Sequence, residues 1–159
     1  MSLIDVLAEA LKLEQDGHDF YVTMADRVQD EDGKAMFKQL ADDEVDHYAY
    51  IKRQYEALQA GKGWALIPEM DLVASIDAVS LVFPPEQKAL EELPAEPTEE
   101  DALLFGLGIE DKSVKLYHGS AERAEDPEAK KLFMQLAGAE RRHFEILMQR
   151  YESRFPYPR

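Results

Sequence analysis

Two Glu-x-x-His steps, Glu44-Val45-Asp46-His47 and Glu140-Arg141-Arg142-His143, each follow another glutamate, Glu14 or Glu110, placed thirty residues earlier. On a helix, residues three apart lie about 60° from one another around the axis, so each step turns a carboxylate and an imidazole toward one point. Four carboxylates and two imidazoles are the donors that a pair of divalent cations takes when no sulfur is offered. Adding 96 to every member of the first set gives the second, so the chemistry is carried twice by an internal repeat. The same offset pairs Tyr21 with Tyr117, Arg27 with Arg123, Lys34 with Lys130, Phe37 with Phe133 and Tyr55 with Tyr151. About fourteen of the forty-five positions from 13 to 57 match their partners, the self-similarity of a duplicated unit. Two copies are too few for a solenoid, and they predict one domain over 1–159 with two-fold pseudo-symmetry.

The elements that must position these residues are four long helices. Leu3, Leu7, Ala10, Glu14, Gly17, Tyr21, Met24 and Val28 recur at steps of three and four, the stripe of a first helix starting from Ser2 as N-cap. Glu14 sits inside that otherwise apolar or small row, where a carboxylate demands a partner. Asp30-Glu31-Asp32-Gly33 reads as a break, and a second stripe runs through Phe37, Leu40, Glu44, His47, Ile51 and Leu58 until Gly61 and Gly63 stop it. The first two helices are therefore expected to form an antiparallel hairpin over 2–60.

Residues 61–97 differ in kind. Pro68, Pro84, Pro85, Pro94 and Pro97 forbid a continuous helix, and the segment reads as a crossover with short helical pieces and an apolar run from Leu72 to Phe83. Helices of about 27 residues span roughly 40 Å at 1.5 Å per residue, a distance the crossover can cover, so the chain can return to the other end of the bundle. Thr98 with Asp101 resembles a capping box, and Leu103, Gly106, Glu110, Ser113, Tyr117, Ser120 and Ala124 repeat the first stripe. Asp126-Pro127 opens the last helix, whose stripe is Ala129, Phe133, Leu136, Glu140, His143 and Leu147, completing a second hairpin over 98–155. A crossover that reverses the second hairpin makes the two halves related by a two-fold axis perpendicular to the bundle. Both ligand sets then face one another at the same depth.

Composition narrows the functions available. With 18 basic against 33 acidic residues and a net charge of −15, the chain repels nucleic acid and anionic membranes and suits metal ions or cationic partners. The absence of cysteine excludes disulfides, zinc-thiolate sites, iron-sulfur clusters and a nucleophilic thiol. No leader-like pattern opens the chain and no apolar run reaches the eighteen or so residues of a membrane span, so the expected location is the cytoplasm. Left without metal, four carboxylates in an apolar interior would each cost on the order of several kcal/mol, a charge that two divalent cations offset directly. Hard oxygen with imidazole suits iron or manganese and admits zinc.

A single Glu-x-x-His step is commonplace on solvated helices. Two copies with two matched upstream glutamates at one shared offset are far more specific, and this constellation resembles the ferritin-like di-iron carboxylate superfamily, within it the rubrerythrin-like branch, from Leu3 to about Tyr151. The resemblance implies an all-α, ferritin-like four-helix bundle with a long crossover between helices 2 and 3, holding two iron ions. It further implies that Glu44 and Glu140 bridge the metals, that Glu14 and Glu110 cap opposite ends, and that His47 and His143 each bind one ion. Two departures stand out. These 159 residues include no cysteine-rich rubredoxin module, and the additional glutamate that rubrerythrins carry three residues after the third-helix glutamate is Ser113 here, with Gly17 at the matching place. A more symmetric six-ligand site follows, and the redox-linked movement of one iron attributed to the family is not implied for this chain.

Tyr21 and Tyr117 lie seven residues after Glu14 and Glu110, on the same face two turns along, where a phenol can hydrogen-bond a ligating carboxylate across the bundle. His18 and His118 have Val114 and Val22 as repeat partners and are expected at an interface or in solvent. Trp64 reads as a packing residue. The resemblance implies a non-haem di-iron redox enzyme whose reduced centre cleaves the O–O bond of hydrogen peroxide, with electrons from an external rubredoxin-like or flavin protein. Its relatives are usually homodimers. Competing readings are a ferroxidase or iron-storage protein, which needs a large cage, a di-iron oxygenase that uses dioxygen on an organic substrate, and a bundle serving only interaction.

Overall fold

The structure is a computed structural model, and it describes residues 2–63 and 97–155. Within them lie four helices and no strand: α1 (Leu3–Arg27), α2 (Glu31–Gln59), α3 (Glu99–Arg123) and α4 (Pro127–Arg154). The expected helical pieces between residues 64 and 96, the Leu72 to Phe83 run and Trp64 fall outside the described residues. None of the described helices is long and apolar enough to cross a membrane.

Local chemistry accounts for each boundary. Ser2 and Thr98 cap α1 and α3 in full capping boxes, each hydroxyl accepting from the backbone N–H of Asp5 or Asp101 while that aspartate accepts from the cap's own N–H. Asp126 accepts from the N–H groups of Glu128 and Ala129, with Pro127 at the first turn of α4. Helix α2 ends in a Schellman motif. The Lys62 N–H donates to the Ala57 carbonyl and the Gly61 N–H to the Leu58 carbonyl, with Gly61 at φ +72°.

The break expected at 30–33 is narrower than the sequence suggests. Asp30 caps α2 by accepting from the N–H of Gly33, so Gly33 lies inside the first helical turn. Glycine is required there by crowding. A Cβ would come within 2.9 Å of Val28 Cγ1 and 3.3 Å of Arg150 Nη2, and the Arg150 guanidinium is committed, its Nη2 lying 2.6 Å from Asp30 and its Nε 2.7 Å from Glu99. Arg150 thereby ties the start of α2 to the start of α3. Gly33→Ala should lower stability by about 1 kcal/mol despite its better helix propensity, because overpacking against a β-branched neighbour costs more than the propensity returns. Urea denaturation checks this; an equal or higher midpoint would show that Val28 and Arg150 can yield.

Helix α1 packs on α2, α3 on α4, and α1 against α3. The α1–α3 contact is antiparallel, since Tyr21 reaches Glu110 while Tyr117 reaches Glu14. Every residue of the four stripes is buried except Leu3, Leu58 and Ala124, which are half-buried at the ends of the bundle. The apolar core divides into two clusters. One holds Leu7, Ile51, Phe133 and Leu136, the other Leu103, Leu147, Phe37 and Leu40. These are exchanged by the offset of 96: Leu7 with Leu103, Phe37 with Phe133, Leu40 with Leu136, Ile51 with Leu147. Two apolar halves related by the repeat thus enclose a polar layer between them.

Candidate metal centre

That polar layer contains all six residues singled out by the repeat. Glu14, Glu44, His47, Glu110, Glu140 and His143 are between 0 and 3 % exposed. They form two groups of four, Glu14-Glu44-His47-Glu140 and Glu44-Glu110-Glu140-His143, in each of which one ligand atom per residue lies within 4.8 Å of the others. Glu44 and Glu140 belong to both groups. These buried glutamates and histidines could bind metal ions.

Each imidazole turns Nδ1 inward. His47 Nδ1 lies 3.1 Å from Glu140 Oε1 and 3.4 Å from Glu14 Oε2. His143 Nδ1 lies 3.2 Å from Glu44 Oε1, 3.2 Å from Glu140 Oε2 and 3.4 Å from Glu110 Oε1. The two rings are near-parallel, 5.5 Å apart between centroids. One oxygen each of Glu14, Glu110 and Glu140 is buried without accepting a hydrogen bond, although those of Glu14 and Glu140 are the ones close to an imidazole. Buried carboxylate oxygens that lack donors, converging with imidazole nitrogens, fit the demand of a hard divalent cation.

Burial and neighbouring charges set how this layer holds its protons. Burial pushes the carboxyls of Glu14, Glu44 and Glu110 above the ordinary carboxylate range, and the charge of Glu140 pushes in the same direction. Burial opposes ionisation of Glu140 too, but the neighbouring His47 and His143 outweigh it and hold that carboxyl well below its usual range. Burial disfavours the imidazolium form of His47, yet Glu14 and Glu140 overcome it and bring the group up to about 10. For His143 burial is likewise outweighed, by Asp43, Glu110, Glu140 and Glu44, and the shift is upward.

The tyrosines sit behind the carboxylates at the two ends of the layer. Tyr21 donates to Glu110 Oε1 at 2.5 Å, and Tyr117 donates to Glu14 Oε1. Both rings are fully buried, and burial together with the facing carboxylate drives each phenol well above its ordinary range, so both remain donors. Tyr21→Phe or Tyr117→Phe strips the donor from a buried carboxylate. We expect each to cost about 1–3 kcal/mol in the metal-free protein by urea denaturation. A loss below a few tenths would mean that the carboxylate finds another donor.

His18 is half-buried and lies 3.1 Å from Asp19, and His118 is exposed beside Glu122, so neither joins the layer. One residue at the site has no counterpart in the repeat. Asp43 Oδ2 is 3.0 Å from His143 Nε2, reaching the imidazole from α2 on the side away from the carboxylates.

The chain is similar to a hypothetical protein from Pyrococcus furiosus, with 25% identity over 96% of this chain and 89% of that one and a TM-score of 0.68. It shares its fold with an uncharacterised conserved protein from Magnetospirillum magnetotacticum, 22% identical over 100% of this chain and 99% of the other, with a TM-score of 0.66. No curated protein matches the chain. The ferritin-like domain family matches residues 2–151, nearly the whole of the bundle, and the chain belongs to that family.

Proposed function

We propose that the protein is a dinuclear non-haem iron redox enzyme that reduces hydrogen peroxide to water with electrons from an external donor. The observation that carries this reading is the pair of four-residue groups sharing Glu44 and Glu140. Four carboxylates bring four negative charges, which two divalent cations neutralise once both imidazoles are uncharged; a single ion would leave the buried layer anionic. In this reading Glu44 and Glu140 serve both metal positions, Glu14 and His47 complete one, and Glu110 and His143 complete the other. Iron is the ion most in keeping with the family, while the donor set also accepts manganese or zinc.

When bound, a reduced iron pair supplies two electrons to the O–O bond of hydrogen peroxide, which with two protons yields two molecules of water. The chain's own residues do the rest. Tyr117 and Tyr21 orient Glu14 and Glu110 through hydrogen bonds at opposite ends of the layer. The two apolar clusters above and below keep bulk water from the ligands. Every ligand candidate is buried to within 3 % of complete cover, which favours a small oxidant over an organic substrate. Electrons would arrive from a rubredoxin-like or flavin protein, and we propose a homodimer in the cytoplasm as the working form.

The test is stopped-flow oxidation of protein loaded anaerobically with ferrous iron, with hydrogen peroxide and dioxygen compared at equal concentration. Oxidation at least tenfold faster with peroxide is the expected result. Faster oxidation with dioxygen would replace the reading with a ferroxidase or oxygenase, and sedimentation as a large cage would favour iron storage.

A further inference from the structure

The repeat makes the site nearly symmetric, and one departure from that symmetry, Asp43, makes a direct contact with a ligand candidate. Glu44, His47, Glu140 and His143 all obey the offset of 96, and so do Tyr21 and Tyr117, but the residue preceding each Glu-x-x-His glutamate does not. It is Asp43 on α2 and Ala139 on α4. Asp43 Oδ2 lies 3.0 Å from His143 Nε2, whereas the equivalent position beside His47 carries a methyl group. His143 therefore has its two ring nitrogens assigned to different tasks. Nδ1 faces Glu44, Glu110 and Glu140, and Nε2 faces a carboxylate outside that group.

An imidazole that binds a metal through one nitrogen keeps a proton on the other. A carboxylate accepting that N–H fixes the tautomer, locks the ring plane and makes the ligating nitrogen more basic. Asp43 is placed to do all three for one metal position. Its side chain is 23 % exposed, so it retains contact with water while its acceptor oxygen meets the buried ring. The ring of His143 is thus set by a charge that the pseudo-symmetric site does not receive from its own matching position.

We propose that Asp43 is the positioning residue that makes the two metal positions unequal, so that the one completed by Glu110 and His143 takes a divalent transition-metal ion first and holds it more tightly. This inference rests on the dinuclear reading above. It adds an order of loading to a site whose repeat would otherwise make the two positions alike.

The experiment is anaerobic titration of the metal-free protein with cobalt(II), followed by visible absorption, with proton NMR of the fully loaded form. Native protein should bind two equivalents in distinguishable steps. Asp43→Ala should weaken the tighter step by about 10–100-fold and leave the weaker one within about twofold, so that the two steps converge. The loaded native protein should also show a hyperfine-shifted, exchangeable imidazole N–H that is lost in Asp43→Ala. Asp43→Asn, whose amide oxygen still accepts that N–H, should restore the signal and part of the affinity. Unchanged steps in Asp43→Ala, or equal weakening of both, would overturn the inference while leaving the dinuclear site intact. Failure of the native protein to bind two equivalents would overturn the dinuclear reading itself.

Discussion

Glu140→Ala is expected to leave less than about one metal ion per chain where the native protein retains about two after loading with ferrous iron and desalting. Its two carboxylate oxygens are split between the halves of the site, Oε1 lying 3.1 Å from His47 Nδ1 and Oε2 3.2 Å from His143 Nδ1. Removing it takes one ligand from each four-residue group and one negative charge from the pair. Glu110→Ala is the control, because Glu110 belongs to one group only. That variant should lose about one ion and keep the other. Neither substitution should unfold the bundle, but Glu140→Ala should cost more stability, because it removes the carboxylate that His47 and His143 hold ionised, whereas the Glu110 carboxyl is itself costly to bury without metal. Elemental analysis beside far-ultraviolet circular dichroism separates the outcomes. If Glu140→Ala retained both ions, or Glu110→Ala lost as much as Glu140→Ala, the shared role of Glu140 would be wrong.

The six residues of the layer are legible in the sequence because a charged side chain standing in an apolar row at helical period must be neutralised or paired by whatever it faces. The repeat then supplies what a single stripe cannot. A row containing Glu14 predicts only a buried carboxylate, but the same row recurring around Glu110 predicts a second one facing it across an axis. The Tyr21 and Tyr117 contacts follow from that symmetry as well. Asp43 is hidden for the converse reason. Its repeat partner is alanine, and its contact is with a residue one hundred positions away on another helix, which no local period encodes. Phe20 is fully buried although it lies one position off the main stripe, since a globular helix buries a wider face than its central row. Gly33 reads as a break because glycine is a poor helix former. The reason for its presence, the nearby Val28 and Arg150, is tertiary.

Removing metal should make the bundle both less stable and newly sensitive to alkali. In the metal-free protein Glu14, Glu44, Glu110, His47 and His143 all hold protons more tightly folded than unfolded, so folding takes up protons and stability falls as pH rises. The clearest window belongs to His47. Its contribution is fully present below the ordinary histidine value of 6.5 and is lost as pH climbs through its folded value of about 10. Glu140 works in the opposite sense, contributing above the ordinary carboxyl value of 4.5 and losing that contribution in acid, well away from this window. A loss on the order of a few kcal/mol between neutral pH and pH 10 corresponds to a fall in Tm of roughly 5–10 °C for a chain of this size. Metal reverses the slope. Binding requires ionised carboxylates and an uncharged Nδ1 on each imidazole, so loading expels the protons that the empty layer holds and becomes tighter as pH rises. At a thousandfold excess of free ion over Kd the bound form gains about 4 kcal/mol, and the gap in Tm between loaded and metal-free protein should widen steadily from about pH 6.5 to pH 9. Calorimetry at several pH values, with His47→Gln as the variant in which the metal-free slope flattens, measures this directly. A metal-free Tm that rises across the window, or a gap that stays constant, would mean that the layer is neutralised by something other than its own protons and the ions that replace them.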